Sequence, residues 1–275
     1  MRILTSIFLL FSLLAASNAI AQSAANKLIK SPLSIGETLE FHSTTLNEQR
    51  VLNIYLPNSY EENTTRQYPV IYLLDGSSDE DFIHIAGLVQ FNAFPWINNL
   101  PESIVVGIAN IDRKRDFTYP SNSELDLKEL PTSGGSAKFI RFIANELQPL
   151  IETHYRTSTT KTIIGQSLGG LLATEILFKS PDLFDHYIII SPSLWWDDES
   201  ILAFNPVKFK TPKSIYIGVG KEGEIMERVA NNLFQKIENE QAKNTKVYFK
   251  FFEQLSHGDT LHLATYDAFV KIFKH

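Results

Sequence analysis

A chain of 275 residues, 44% of them hydrophobic and none of them cysteine, is long enough for one large core and owes nothing to disulfides. The missing cysteines also exclude thiol nucleophiles and cysteine-ligated zinc. With 31 acidic against 25 basic residues, a net charge of −6 and no extended basic run, the composition argues against nucleic acid or an anionic membrane as a partner.

In chain order, Arg2 and the apolar run 3–16 precede Ala19-Ile20-Ala21, an A-x-A cleavage signal before Gln22. Residues 1–21 are therefore expected to be a secretory signal peptide. The run is too short for a stable spanning helix, so no membrane anchor is expected after cleavage. Export without cysteines points to a bacterial periplasm or exterior. Residues 22–275 are expected to form a single α/β domain, beginning with a loose polar arm over 22–36. Segments 37–45 and 50–56, around an Asn47-Glu48 turn, alternate as an antiparallel pair at a sheet edge does. Continuous apolar runs at 70–74, 104–108, 162–164, 187–190, 215–219 and 247–252 predict strands buried on both faces. Helical spacing marks 134–154 (with Pro149 as a kink or stop), 168–179, 224–241 and 260–274. Residues 79–100 are apolar but irregular, and are expected to cover the strand ends as part of a pocket wall. Strands alternating with helices predict a mostly parallel sheet with helices on both faces, with ligands beyond the carboxyl ends of the strands.

The chemistry centres on Gly165-Gln166-Ser167-Leu168-Gly169, placed between an apolar strand and an apolar helix former. Such a strand–turn–helix exposes a strained serine, and glycines two positions to either side avoid collisions. A serine hydroxyl needs a base, and in this arrangement an acid and then a histidine follow it in the chain. His42, His84 and His154 precede Ser167, His186 starts a strand, and His275 is the last residue. His257, in the loop between the last strand and the last helix, is preferred to His262 inside that helix. The acid is expected after the run 215–219. Glu222 in the loop is preferred, Glu224 at the helix start is the alternative, and Asp197 or Asp198 is the fallback. Backbone donors for an oxyanion are expected at Leu168 and at Ser77, which follows Asp75-Gly76. His257, Asp259 and His262 lack metal-site spacing, so neither metal nor cofactor is expected.

Tyr72-Leu73-Leu74-Asp75-Gly76, Val106-Gly107-Ile108, Asp112-Arg113, Arg115-Asp116, Tyr155-Arg156-Thr157, the block around Ser167, Ser191-Pro192-Ser193-Leu194-Trp195-Trp196 and Ser256-His257-Gly258 occur in that order. This set resembles the Putative esterase (esterase D-like) family of α/β-hydrolases, and within it the siderophore trilactone esterases. The resemblance implies a serine, acid and histidine triad carried onto Ser167, Glu222 and His257, oxyanion donors at Ser77 and Leu168, and a small-molecule ester as substrate. Gln166 departs from the pattern, since many relatives have histidine there. Arg113 either receives an anionic substrate group or holds a loop by ion pairs, and Asp75 either contacts substrate or ties its own loop by hydrogen bonds. Trp195 and Trp196 either wall an aryl or acyl group or pack.

Overall fold

The alternating segment forms an antiparallel hairpin, β1 (Glu37–Ser43) against β2 (Glu48–Tyr55), with Glu37 opposite Ile54 and Ser43 opposite Glu48. The turn is residues 44–47 rather than Asn47-Glu48, and Asn47 takes a φ of 58°, a conformation asparagine tolerates. The computed structural model describes residues 29–240 and 245–274, so the predicted signal peptide and His275 lie outside the described residues. Met1–Ser34 and Ile35–His275 are separate units; the described part of the first, 29–34, is exposed and without helix or strand.

Glu146 holds the hairpin turn. Its carboxylate accepts from Ser43 Oγ (2.5 Å), Thr44 Oγ1 (2.5 Å), and the Thr45 amide and Oγ1 (each 2.7 Å). Burial would raise this carboxyl, but the donors of Ser43, Thr44 and Thr45 outweigh it and hold it at about 2. A depressed carboxylate contributes stability above its ordinary value, and that contribution is lost as pH falls toward 2. Glu146→Gln is expected to lower the Tm by about 3 °C at pH 7, with the gap narrowing as pH falls from about 4.5 toward 2. Thermal melts of both proteins across that range check it, and an unchanged gap at pH 3 would contradict it.

Beyond the hairpin come β3 (Tyr68–Leu73), β4 (Ile104–Ile108), β5 (Thr157–Gln166), β6 (His186–Ile190), β7 (Ser214–Gly220) and β8 (Lys246–Phe252). The sheet order is β1-β2-β4-β3-β5-β6-β7-β8; β2 meets β4 antiparallel and every later pairing is parallel. The run 247–252 departs from the expectation of burial on both faces. β8 is the last strand of the sheet and is half exposed, because among the described residues no strand lies along its outer side.

The helices are α1 (Phe82–Asn92), α2 (Arg113–Phe117), α3 (Glu124–Glu129), α4 (Ser136–Phe142), α5 (Gln148–His154), α6 (Leu168–Lys179), α7 (Trp196–Ala203), α8 (Glu224–Glu240) and α9 (Thr260–Phe273). Strand periodicity sorts them onto two faces. Val70 and Tyr72 join the core beneath α4, α6 and α8, which includes Phe139, Leu171 and Leu233. Ile71 and Leu73 join the core beneath α1 and α9, which includes Ile85 and Phe269. The predicted helix 134–154 is α4 and α5 joined by a π-helical turn, Ile143–Leu147. Proline lacks an N–H and crowds the carbonyl four residues back, and Asn145, four before Pro149, lies in that turn.

Candidate active site

Four consecutive strands, β5 to β8, end on one edge and carry the candidate groups in order. β5 passes into α6 through a single residue, Ser167, with φ 59° and ψ −120°. That is a sparsely populated backbone conformation, costing about 1–3 kcal/mol. The surroundings hold it. The Ser167 amide donates to Ile190 O at 3.1 Å, and Ser167 O accepts from the Leu171 and Ser193 amides, each at 3.0 Å. A Cβ at Gly165 would stand 2.4 Å from Gly169 O, so the turn closes only with glycine there. The Ser167 hydroxyl meets Ser193 Oγ at 3.3 Å.

Glu222, just past β7, has its side chain 2% exposed and meets His257 Nδ1 at 2.5 Å. Its other oxygen accepts from Ser191 Oγ at 2.5 Å and the Gly220 amide at 2.8 Å. Burial would raise the Glu222 carboxyl, but hydrogen bonds from His257, Ser191 and Gly220 together hold it below its ordinary value, so it is ionised. The loop carrying His257 is anchored at several points. The Lys221 amide donates to Leu255 O at 2.7 Å, and Asp259 Oδ1 accepts from the Ser256 amide and hydroxyl. Gln166 Nε2 donates to His257 O at 2.6 Å, which ties the loop to the residue before the serine.

A cavity of about 430 Å³ is lined by Asp75, Glu80, Asp81, Arg113, Gln166, Ser167, His257 and Gly258. The structure thus brings Ser167, His257 and Glu222 to one site. Among the described residues, no hydrogen bond joins Ser167 to His257, and such bonds are often long until substrate is bound. Glu224 is the first residue of α8, and Asp197 accepts from the Asn122 amide and from Ser121 and Ser200, away from His257. His262 lies in α9, its ring 5.1 Å from that of His84. Leu168 is the first residue of α6, where an amide has no intrahelical partner. The Ser77 amide donates to Glu80 Oε2 at 3.4 Å, and Ser77 is not among the residues lining the cavity.

Of the two readings open for the tryptophans and for Arg113, the contacts favour packing for Trp196 and loop-holding for Arg113. Trp196 is fully buried and its indole N–H donates to Tyr119 O at 2.9 Å, so it packs and presents no wall to a ligand; Trp195 is 37% exposed but does not line this cavity. Arg113 does line the cavity, but its guanidinium is engaged. Nε and one Nη donate to the two oxygens of Asp75 at 2.5 and 3.0 Å, and the same Nη reaches Gln166 O at 3.3 Å. The pair ties the loops after β3 and β4 to the end of β5. Arg115 is engaged likewise, with Glu48 and Asp116, and the buried Arg50 joins them. Ser191, Ser193, Glu80 and Asp81 are site residues that sequence reasoning missed. Ser191, with φ 43°, shows that the turn after β6 is built for the site, but nothing in its spacing announces that. Among the described residues no group of His, Asp and Glu is placed to hold a metal.

A mostly parallel sheet covered on both faces, with a serine at the β5–α6 turn and an acid and a histidine after later strands, is the α/β-hydrolase fold. The profile of the Putative esterase family matches residues 43–266, and the chain belongs to that family. It is 36% identical over 169 residues to the ferri-bacillibactin esterase BesA of Bacillus subtilis, across 57% of this chain and 58% of that protein's length. Among solved structures, an IroE-like serine hydrolase from Shewanella oneidensis superposes with a TM-score of 0.78 at 27% identity, covering 87% of this chain and 80% of that one. The BES protein from Bacillus cereus superposes at 0.75 with 26% identity, over 90% and 98%.

Proposed function

We propose that this chain is an exported bacterial serine hydrolase of carboxylic esters, acting on siderophore-type esters through an acyl-enzyme on Ser167. The observation that carries the proposal is the buried Glu222 carboxylate held on His257 at the rim of the cavity containing Ser167. Ser167 Oγ attacks the ester carbonyl while His257 takes its proton. Glu222, ionised and fixed by Ser191 and Gly220, selects the imidazole tautomer and steadies the imidazolium. The Leu168 amide, at the start of α6, receives the developing oxyanion; the Ser77 amide joins it by leaving Glu80. The tetrahedral intermediate collapses, its alcohol leaving with the proton from His257. Water, losing a proton to the same histidine, then attacks the acyl-enzyme and releases the acid and Ser167. His257 returns that last proton to Ser167 Oγ as the acid leaves, so the protons balance among Ser167, His257, the alcohol and water with no cofactor in any step.

The substrate class rests on the likeness to the ferri-bacillibactin esterase, and export rests on residues 1–21. The mature chain, beginning at Gln22, is assayed with short p-nitrophenyl esters, a siderophore trilactone, and feruloyl and acetyl sugars. Turnover of the trilactone supports the proposal. Turnover of the sugar esters without the trilactone overturns its substrate, and no ester hydrolysis overturns it altogether.

A further inference from the structure

Ser167 and His257 stand on separate strand ends, and their spacing depends on what joins the two. Ser167 follows β5, whereas His257 lies in the loop 253–259 between β8 and α9, on the edge side of the order β5-β6-β7-β8. The bonds that hold this loop run mostly to the end of β7 or within the loop itself. Lys221 donates to Leu255 O, the Ser256 amide and hydroxyl donate to Asp259, and Thr260 Oγ1 donates to Ser256 O at 2.6 Å. The Glu222 contact likewise fixes the imidazole to the end of β7, with β6 between that strand and β5. None of these bonds sets the distance from the imidazole to Ser167. The histidine side chain is 46% exposed, so packing alone does not set it either. Among the described residues, one hydrogen bond joins the loop directly to β5, from Gln166 Nε2 to His257 O at 2.6 Å. It runs from the residue before the serine to the main chain of the histidine itself. Gln166 is held in turn: it pairs with Ile190 in the sheet, and its carbonyl accepts from Arg113, which Asp75 clamps. Its side chain therefore reaches out from a fixed backbone.

We propose that Gln166 is a positioning residue for the base: its amide N–H, by holding the His257 carbonyl, sets the distance between the imidazole and the Ser167 hydroxyl. The role rests on Ser167 and His257 being nucleophile and base. It bears on both halves of the reaction, because the same imidazole takes a proton first from the serine and then from water. A base displaced by about 1 Å can lose on the order of 10²-fold in rate. The position needs a donor. Leucine fills a similar space but leaves His257 O without that bond, and glutamate keeps the shape but sets an oxygen against the carbonyl, acceptor against acceptor. Neither change touches the Glu222 contact or the glycines of the elbow, so the acid and the serine backbone stay as they are.

Two rates are measured, steady-state turnover of the ester that the wild type hydrolyses fastest and labelling of Ser167 by a fluorophosphonate. They are compared for the wild type, Gln166→Leu, Gln166→Glu, His257→Ala, and His257→Ala combined with each Gln166 change. Gln166→Leu is expected to lower kcat and the labelling rate by about 10- to 100-fold, with KM within about twofold, and Gln166→Glu to lose at least as much. Added to His257→Ala, either change is expected to cost less than about twofold more, because a residue acting only through the histidine has nothing left to position. A residue that shaped the elbow or touched substrate would cost the same factor in both backgrounds. Thermal melts check that each variant is folded, and Gln166→Glu carries the comparison should Gln166→Leu fold poorly. An unchanged kcat in the Gln166 variants, or an equal loss with and without His257, overturns the role of Gln166 while leaving the hydrolase standing. No ester turnover by the wild type overturns the hydrolase proposal and this one with it.

Discussion

Ser167→Ala is expected to lower kcat/KM on any accepted ester by about 10⁴- to 10⁶-fold, because it removes the atom to which the acyl group would be attached. Folding should be nearly unaffected. The hydroxyl meets Ser193 Oγ at the long distance of 3.3 Å, while the backbone of residue 167 is held by three amide–carbonyl bonds that alanine keeps. The strained φ of 59° is therefore retained, and the melting temperature should stay within about 3 °C of the wild type. Steady-state kinetics together with thermal melts separate the two effects. Residual turnover above about one per cent would mean that another group is the nucleophile.

Glu222→Gln carries the second large effect, a fall in kcat of about 10²- to 10⁴-fold. The substitution keeps size and shape but removes the charge that the imidazolium needs. It also offers an N–H where His257 Nδ1 now meets an oxygen at 2.5 Å, which favours the wrong tautomer or breaks the contact. Glu224→Gln should change kcat by less than about threefold, since that residue opens α8 and acts chiefly on the helix dipole. Adding Glu222→Gln to Ser167→Ala should cost little more, because residues acting as one unit do not add. Full additivity of the two losses would place Glu222 outside that unit.

The comparison of these two glutamates also shows where sequence reasoning stops. Gly220-Lys221-Glu222-Gly223-Glu224 places both acids after one strand, and the sequence order of acid and histidine suits either. What separates them is that α8 begins at Glu224, which turns that side chain onto a helix, while Glu222 remains in the loop that faces β8. The elbow was legible because its glycines answer a local collision within five residues. The faces of the sheet were legible because strand alternation is local too. The site wall was not. Ser191 and Ser193 matter because β6 lies between β5 and β7, and no local pattern encodes strand order. Trp195 and Trp196 are neighbours in sequence, but one is exposed and the other buried against Tyr119, a partner 77 residues away. Asp81 sits in a stretch that reads as an irregular covering segment, yet it lines the cavity that holds Ser167. In sequence, Arg113 suits an anion site and a loop clamp equally well; the carboxylate of Asp75, accepting from its Nε and one Nη, lies 38 residues away and has no local signal.

The most direct test of the central claim is peptide mass spectrometry of the protein quenched during turnover of a slowly deacylating ester. An acyl adduct on Ser167, absent from Ser167→Ala and accumulating at the rate of the first product, is the predicted result. An adduct on another residue, or undiminished turnover by Ser167→Ala with no adduct, would contradict it.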